Sequence, residues 1–132
     1  MKWIGAYAWK IASLVVAFLV AALWIKTTGN SLRRSPDEIA ASLRNSTPIG
    51  TGFEEVESRL RSKGLTPEIS PNVGFLRQGR GASEVVGAKS IRASLGEYRT
   101  SFCATTSVTA FWGFDQRGAL FEIWVWKTVD SL

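Results

Sequence analysis

The chain contains no histidine and one cysteine, Cys103, among its 132 residues. Without histidine there is no imidazole to take a proton from a serine or cysteine nucleophile, and no histidine acid–base chemistry. A single thiol leaves no internal disulfide and no cysteine cluster for zinc. Runs of one charge are also missing. Lys and Arg total 16 and Asp and Glu 11, a formal net charge of +5. Arg33 and Arg34 are adjacent, but no block of five or six basic residues exists. Basic residues dispersed among acidic ones read as a solvated surface and not as a nucleic-acid footprint. Beside an anionic bilayer, the same surplus would be drawn toward the headgroups.

The carboxylates are equally dispersed. Most have local work as helix caps, surface pairs or turn residues. Glu97 and Glu122 could approach across a sheet, as paired carboxylates do in glycosidases, but nothing in their spacing asks for it. The expectation is a non-enzymatic chain with no catalytic residues, no cofactor and no metal. Cys103, following Phe102 among small and hydroxylic residues, reads as a buried structural thiol.

One long apolar run is present. From Trp3 to Ile25 only Lys10 interrupts it, and Lys26 closes it. At 1.5 Å per residue a helix over this stretch reaches roughly 34 Å, enough for a bilayer core. Trp3, Tyr7 and Trp9 crowd one end and Trp24 the other, as in the aromatic belts of an interface-crossing helix. Residues 1–30 therefore read as a retained transmembrane anchor and hinge, and 31–132 as one small domain. The alternative is a secretory signal cleaved near Thr27 and Gly29. Lys2 and Lys10 flank one side, and Lys26, Arg33 and Arg34 the other, so charge does not set the orientation.

Within the domain, Ser35-Pro36-Asp37-Glu38 is a helix start: Ser35 can cap, Pro36 suits the first helical position and Glu38 completes a capping box. Ile39, Ala40 and Leu43 share a face, and Asn45 to Pro48 ends the helix. Thr51-Gly52-Phe53-Glu54 repeats the capping spacing. Phe53, Val56 and Leu60 form an apolar stripe, while Glu55 with Arg59 and Glu57 with Arg61 sit four apart on the wet side. Gly64 is a left-handed stop over which Leu65 folds back. Residues 66–89 are poorly patterned, with a short strand possible near Val73 to Leu76. Gly81 to Ser90 superficially resembles a phosphate-binding loop, but the spacing is wrong and a strand follows; it reads as a flexible loop.

From Ser90 onward β character takes over, with Ile91, Ala93 and Leu95 alternating. The C-terminal hairpin turns at Asp115-Gln116-Arg117-Gly118. Pairing Trp112 with Phe121, Ala110 with Ile123 and Val108 with Val125 gives one wholly apolar face. A glycine-bulge turn would shift this register by one and bring Glu122 to the core side; burial favours the first register. The opposite face then carries Phe111, Leu120, Trp124 and Trp126. Either residues 66–89 cover that face or it is an interaction surface for a protein partner or the membrane interface.

The order helix, helix, antiparallel strands resembles small bacterial envelope domains of the SmpA/OmlA (BamE) type, which share a two-layer plan with the β-lactamase-inhibitor-protein fold. Pro48-Ile49-Gly50-Thr51 leading into Glu54 to Leu60, and the hairpin from Phe114 to Leu120, carry the likeness over roughly residues 35–127. The Gly96-Glu97-Tyr98 and Trp124-Val125-Trp126-Lys127 stretches look closer to an uncharacterised group of short bacterial proteins. The resemblance implies a fold and an envelope setting, without catalytic residues. It suggests a single-pass inner-membrane protein with its domain in the periplasm and a protein partner, with an inhibitor or immunity role included. Lipoprotein anchoring is excluded, because no cysteine follows the apolar run. The expected architecture is α+β: two N-terminal helices packed on a three- or four-stranded antiparallel sheet, preceded by one transmembrane helix.

Overall fold

Ser35 begins the first helix as expected. Its backbone is extended, its Oγ accepts from the Glu38 N–H at 3.2 Å, and Pro36 occupies the first turn of α1 (Pro36–Ser46). Asp37 and Glu38 sit at the positive end of the helix dipole and Arg44 at the negative end, which favours the helix at both termini. The computed structural model describes residues 31–79 and 81–131. The proposed anchor over residues 3–25 lies outside these. Among the described residues no helix is long and apolar enough to cross a membrane.

The second helix, α2 (Phe53–Ser62), buries Val56 and Leu60. Its start differs from the expected one. Gly52, which has no side chain to cap with, is the N-cap, and the Thr51 hydroxyl donates instead to the Pro48 carbonyl at 2.6 Å. The two acid-before-base pairs form as expected, Glu55–Arg59 at 2.6 Å and Glu57–Arg61 at 3.1 Å. Arg59 also donates to the Ser46 carbonyl at 2.8 Å, tying α2 to the end of α1. Gly64 adopts φ +81°, and the Leu65 N–H reaches back to the Leu60 carbonyl at 3.1 Å. That bond closes the helix and seats Leu65 against the core.

Among the described residues six strands follow: β1 (Glu68–Ser70), β2 (Phe75–Gln78), β3 (Ser83–Val86), β4 (Lys89–Ser101), β5 (Ala104–Phe114) and β6 (Leu120–Ser131). The main sheet is antiparallel with order β1-β4-β5-β6, and β2 and β3 form a separate two-stranded hairpin. The domain is thus α+β, with two helices and a mainly antiparallel sheet. Both helices contribute to a core made with one sheet face: Ile39, Ala40, Val56 and Leu60 meet Ile91, Ala93, Val108, Ala110, Trp112, Phe114, Leu120, Ile123 and Val125. The poorly patterned stretch holds three strands, two of them beyond the one anticipated. Gly81 to Ser90 is not a loop: it contains β3 and opens β4.

The β5–β6 register departs from both simple alternatives. The Asp115–Gly118 turn is closed by Gly118 N–H to Asp115 O and Asp115 N–H to Ala119 O, each at 3.0 Å, with Gly118 at φ +84°. This is the glycine-bulge turn, and it sets Phe114 opposite Leu120. Carried on unchanged, it would put Glu122 in the core. A second irregularity between Gly113 and Phe114 prevents that, leaving Phe121 unpaired and setting Trp112 opposite Ile123 and Ala110 opposite Val125. Two one-residue shifts cancel in parity. Ile123 and Val125 therefore stay in the core as expected, while Leu120 and Phe121 exchange places. Leu120 is buried at 1% exposure and Phe121 is 45% exposed.

Candidate functional site

Successive side chains along a strand alternate between faces, so Phe111, Trp124 and Trp126 share the face opposite the helices. Phe111 lies directly across from Trp124, and Thr109 across from Trp126. The Phe111 and Trp124 ring centroids are 5.2 Å apart, and those of Trp124 and Trp126 also 5.2 Å. Leu120, the fourth candidate for this face, belongs instead to the core beneath the helices, because the glycine-bulge turn reverses the parity of that one position.

Sequence reasoning missed the residue that completes the row. Phe75, buried on β2, stacks on Trp124 with a 5.9 Å centroid separation and a 5° interplanar angle, and lies 5.5 Å from Phe111. Gly113 makes this possible. A Cβ there would stand 2.9 Å from Phe75 Cε1 and 3.4 Å from Val86 Cγ1. The bare backbone of β5 is the floor on which the β2–β3 hairpin rests. At the rim, the Arg92 guanidinium lies 5.8 Å from the Phe111 ring centroid, within cation–π range. A lone phenylalanine beside Gly74 gave little sign of this role, since no alternation marks a four-residue strand.

A polar clasp holds the hairpin down. Arg77 pairs with Glu84, its neighbour across the hairpin, at 3.1 Å and with Glu122 on β6. The Glu84 hydrogen bond is the chief reason the Arg77 pKa lies above the ordinary arginine value. Ser90 adds a bond to the Val73 carbonyl at 3.0 Å. Glu122 is thus engaged by Arg77, and it is remote from Glu97. Glu97 sits opposite Ser107 and Glu122 opposite Gly113, six residues apart on β5, about 20 Å at strand rise.

Cover by residues 66–89 holds for part of the aromatic face. The β2–β3 hairpin covers Phe111 and Trp124 to the half-buried level, whereas Trp126 is 40% exposed at the end of the row. The chain matches no family model, no curated protein and no solved structure.

Elsewhere, a shallow depression of about 430 Å³ lies at the start of α2, lined by Gly52, Phe53, Glu54, Glu55, Lys89, Arg117 and Gly118. Glu55 is held by Arg59, and the Lys89 ammonium rests over the Phe53 ring at 5.7 Å. Among the described residues no cluster of three or more acidic or thiol side chains is placed to hold a metal. Cys103 is not the buried thiol its neighbours suggested. It is exposed at the corner between β4 and β5.

Proposed function

We propose that this chain is a membrane-anchored, non-enzymatic binding or assembly module of the bacterial cell envelope. The apolar segment of residues 3–25 holds it in the inner membrane, and the α+β domain works in the periplasm. The domain meets a protein partner through the aromatic face of its sheet.

One observation carries the reading: Trp126 stands 40% exposed at the end of the Phe75–Phe111–Trp124 row. The other three rings of the row are already packed on one another, so the exposed indole is presented on a rigid support and loses little freedom on binding. Tryptophan offers a large apolar body with one N–H donor and dominates contact energies where it is buried by a partner. The reading also draws on the likeness of the helix, helix, antiparallel-strand order to SmpA/OmlA-type envelope domains, a likeness that implies an envelope setting.

Two experiments test this. A photoreactive phenylalanine analogue at position 126, in cells, is expected to give a discrete protein adduct. An adduct with lipid alone, or none, overturns the partner reading. Carbonate extraction of membranes, followed by intact-mass measurement, is expected to leave an uncleaved chain in the membrane pellet, and protease added to spheroplasts to digest the domain. A soluble product beginning near Asn30 would identify a cleaved signal instead.

A further inference from the structure

The corner between β4 and β5 has the wrong chemistry for a turn. Tight hairpin corners favour Gly, Asn and Asp, yet Phe102 and Cys103 form this one. Phe102 is 95% exposed, and Val129, opposite Thr106 on the adjoining end of β6, is 61% exposed. Nothing in the packing of the domain accounts for a phenylalanine there.

The chain enters the domain at the same end. Leu32 lies against Gly96, where a Cβ would meet Leu32 Cδ1 at 3.2 Å. Arg33 donates to the Arg99 carbonyl at 3.2 Å and lies over the Tyr98 ring at 5.0 Å. Lys127 Nζ donates to the Arg34 carbonyl at 2.5 Å and to the Tyr98 hydroxyl at 3.0 Å. The entry point is therefore fixed three residues short of Phe102, about 10 Å along the strand. From Ile25 to Leu32 the chain can span at most about 25 Å. If residues 3–25 span a bilayer, so short a tether brings this end of the domain within reach of the headgroups. Arg33, Arg34, Arg99 and Lys127 gather here against Glu97 and Asp130, leaving a positive surplus suited to lipid phosphate.

We propose that the Ser101–Ala104 corner is a second membrane contact, in which Phe102 enters the headgroup boundary of an anionic bilayer while Arg33, Arg34 and Arg99 face lipid phosphates. The inference rests on the anchor reading of residues 3–25. The contact fixes which way the domain stands on the membrane, with the Asp115–Gly118 turn, at the other end of β5, directed away from it.

Cys103 is the chain's only cysteine, so the full chain can be labelled beside Phe102 with an environment-sensitive fluorophore. It is then reconstituted in phosphatidylcholine–phosphatidylglycerol vesicles. The expected result is blue-shifted emission, quenching by nitroxide lipids labelled near the headgroup, and protection from aqueous iodide. The same label on Gln116→Cys in a Cys103→Ser background is expected to remain in water. Phe102→Ser should abolish the lipid quenching at Cys103, and pure phosphatidylcholine should weaken it. A chain that resists carbonate extraction while its Cys103 label stays as iodide-accessible as that on Gln116→Cys overturns this inference and leaves the anchor standing. A chain stripped by carbonate overturns the anchor and this contact with it.

Discussion

The Trp112 indole N–H donates to the Thr47 hydroxyl at 3.1 Å, joining the C-terminal end of β5 to the residue that ends α1. Both side chains are buried. The same hydroxyl donates to the Leu43 carbonyl at 2.8 Å, so it satisfies the indole and the helix end together. Thr47→Val keeps the shape and strands the indole N–H without a partner. The expected loss is about 1–3 kcal/mol in denaturant unfolding, the cost of an unmet buried donor. A loss below a few tenths would mean that water reaches the indole.

Gly113→Ala tests the seat of the β2–β3 hairpin. The added methyl would meet the Phe75 ring and Val86 at distances that require one of them to move. We expect about 1–3 kcal/mol of destabilisation, as for overpacking in a filled core, with faster amide exchange confined to residues 75–86. Exchange that rises instead in β5 and β6 would show that the sheet yields and the hairpin does not.

Phe75 and Trp126 are expected to separate cleanly. Phe75→Ala removes a buried ring from the row and should cost about 3–5 kcal/mol. Trp126→Ala removes a ring already open to water and should cost about 1 kcal/mol or less, while abolishing the partner adduct. Thermal unfolding of both variants, read beside photocrosslinking from position 109, directly across from Trp126, distinguishes the roles. Equal losses of stability would make the whole row a second core.

The unpaired residue in β6 is open to a direct test. Deleting Phe121 places Glu122 opposite Gly113 and Ile123 opposite Trp112 with no bulge, so each core side chain keeps its face. The deletion is expected to fold, with native near-ultraviolet circular dichroism and a loss of about 1 kcal/mol or less. An unfolded product would show that the local twist supplied by the bulge is required.

Helix α1 and the stripe of α2 were legible because capping and 3.6-residue periodicity are local. Ser35, Pro36 and the Val56–Leu60 spacing act within one or two turns. The alternation from Val108 to Phe114 was legible for the same reason. The β2–β3 hairpin was not. Its strands are four residues each, too short for a pattern, and Phe75 is buried only because Gly113, 38 positions away, leaves room for it. The exposure of Cys103 likewise depends on where β4 turns, not on its neighbours in sequence.

By itself the sequence determined the cap of α1, the apolar stripe of α2, the hairpin turn at Asp115–Gly118, the apolar parity of β5 and the absence of histidine chemistry. Each is a property of adjacent residues or of composition. Only the tertiary structure decided that Leu120 lies in the core and Phe121 outside, that Phe75 roofs Phe111 and Trp124, and that Trp126 alone of the row stays open. Side-chain parity in a strand is reset by every bulge, and a bulge is chosen by the fit of the whole sheet against the helices. In β6 that fit placed the second shift where it keeps the Glu122 carboxylate out of the core and within reach of Arg77.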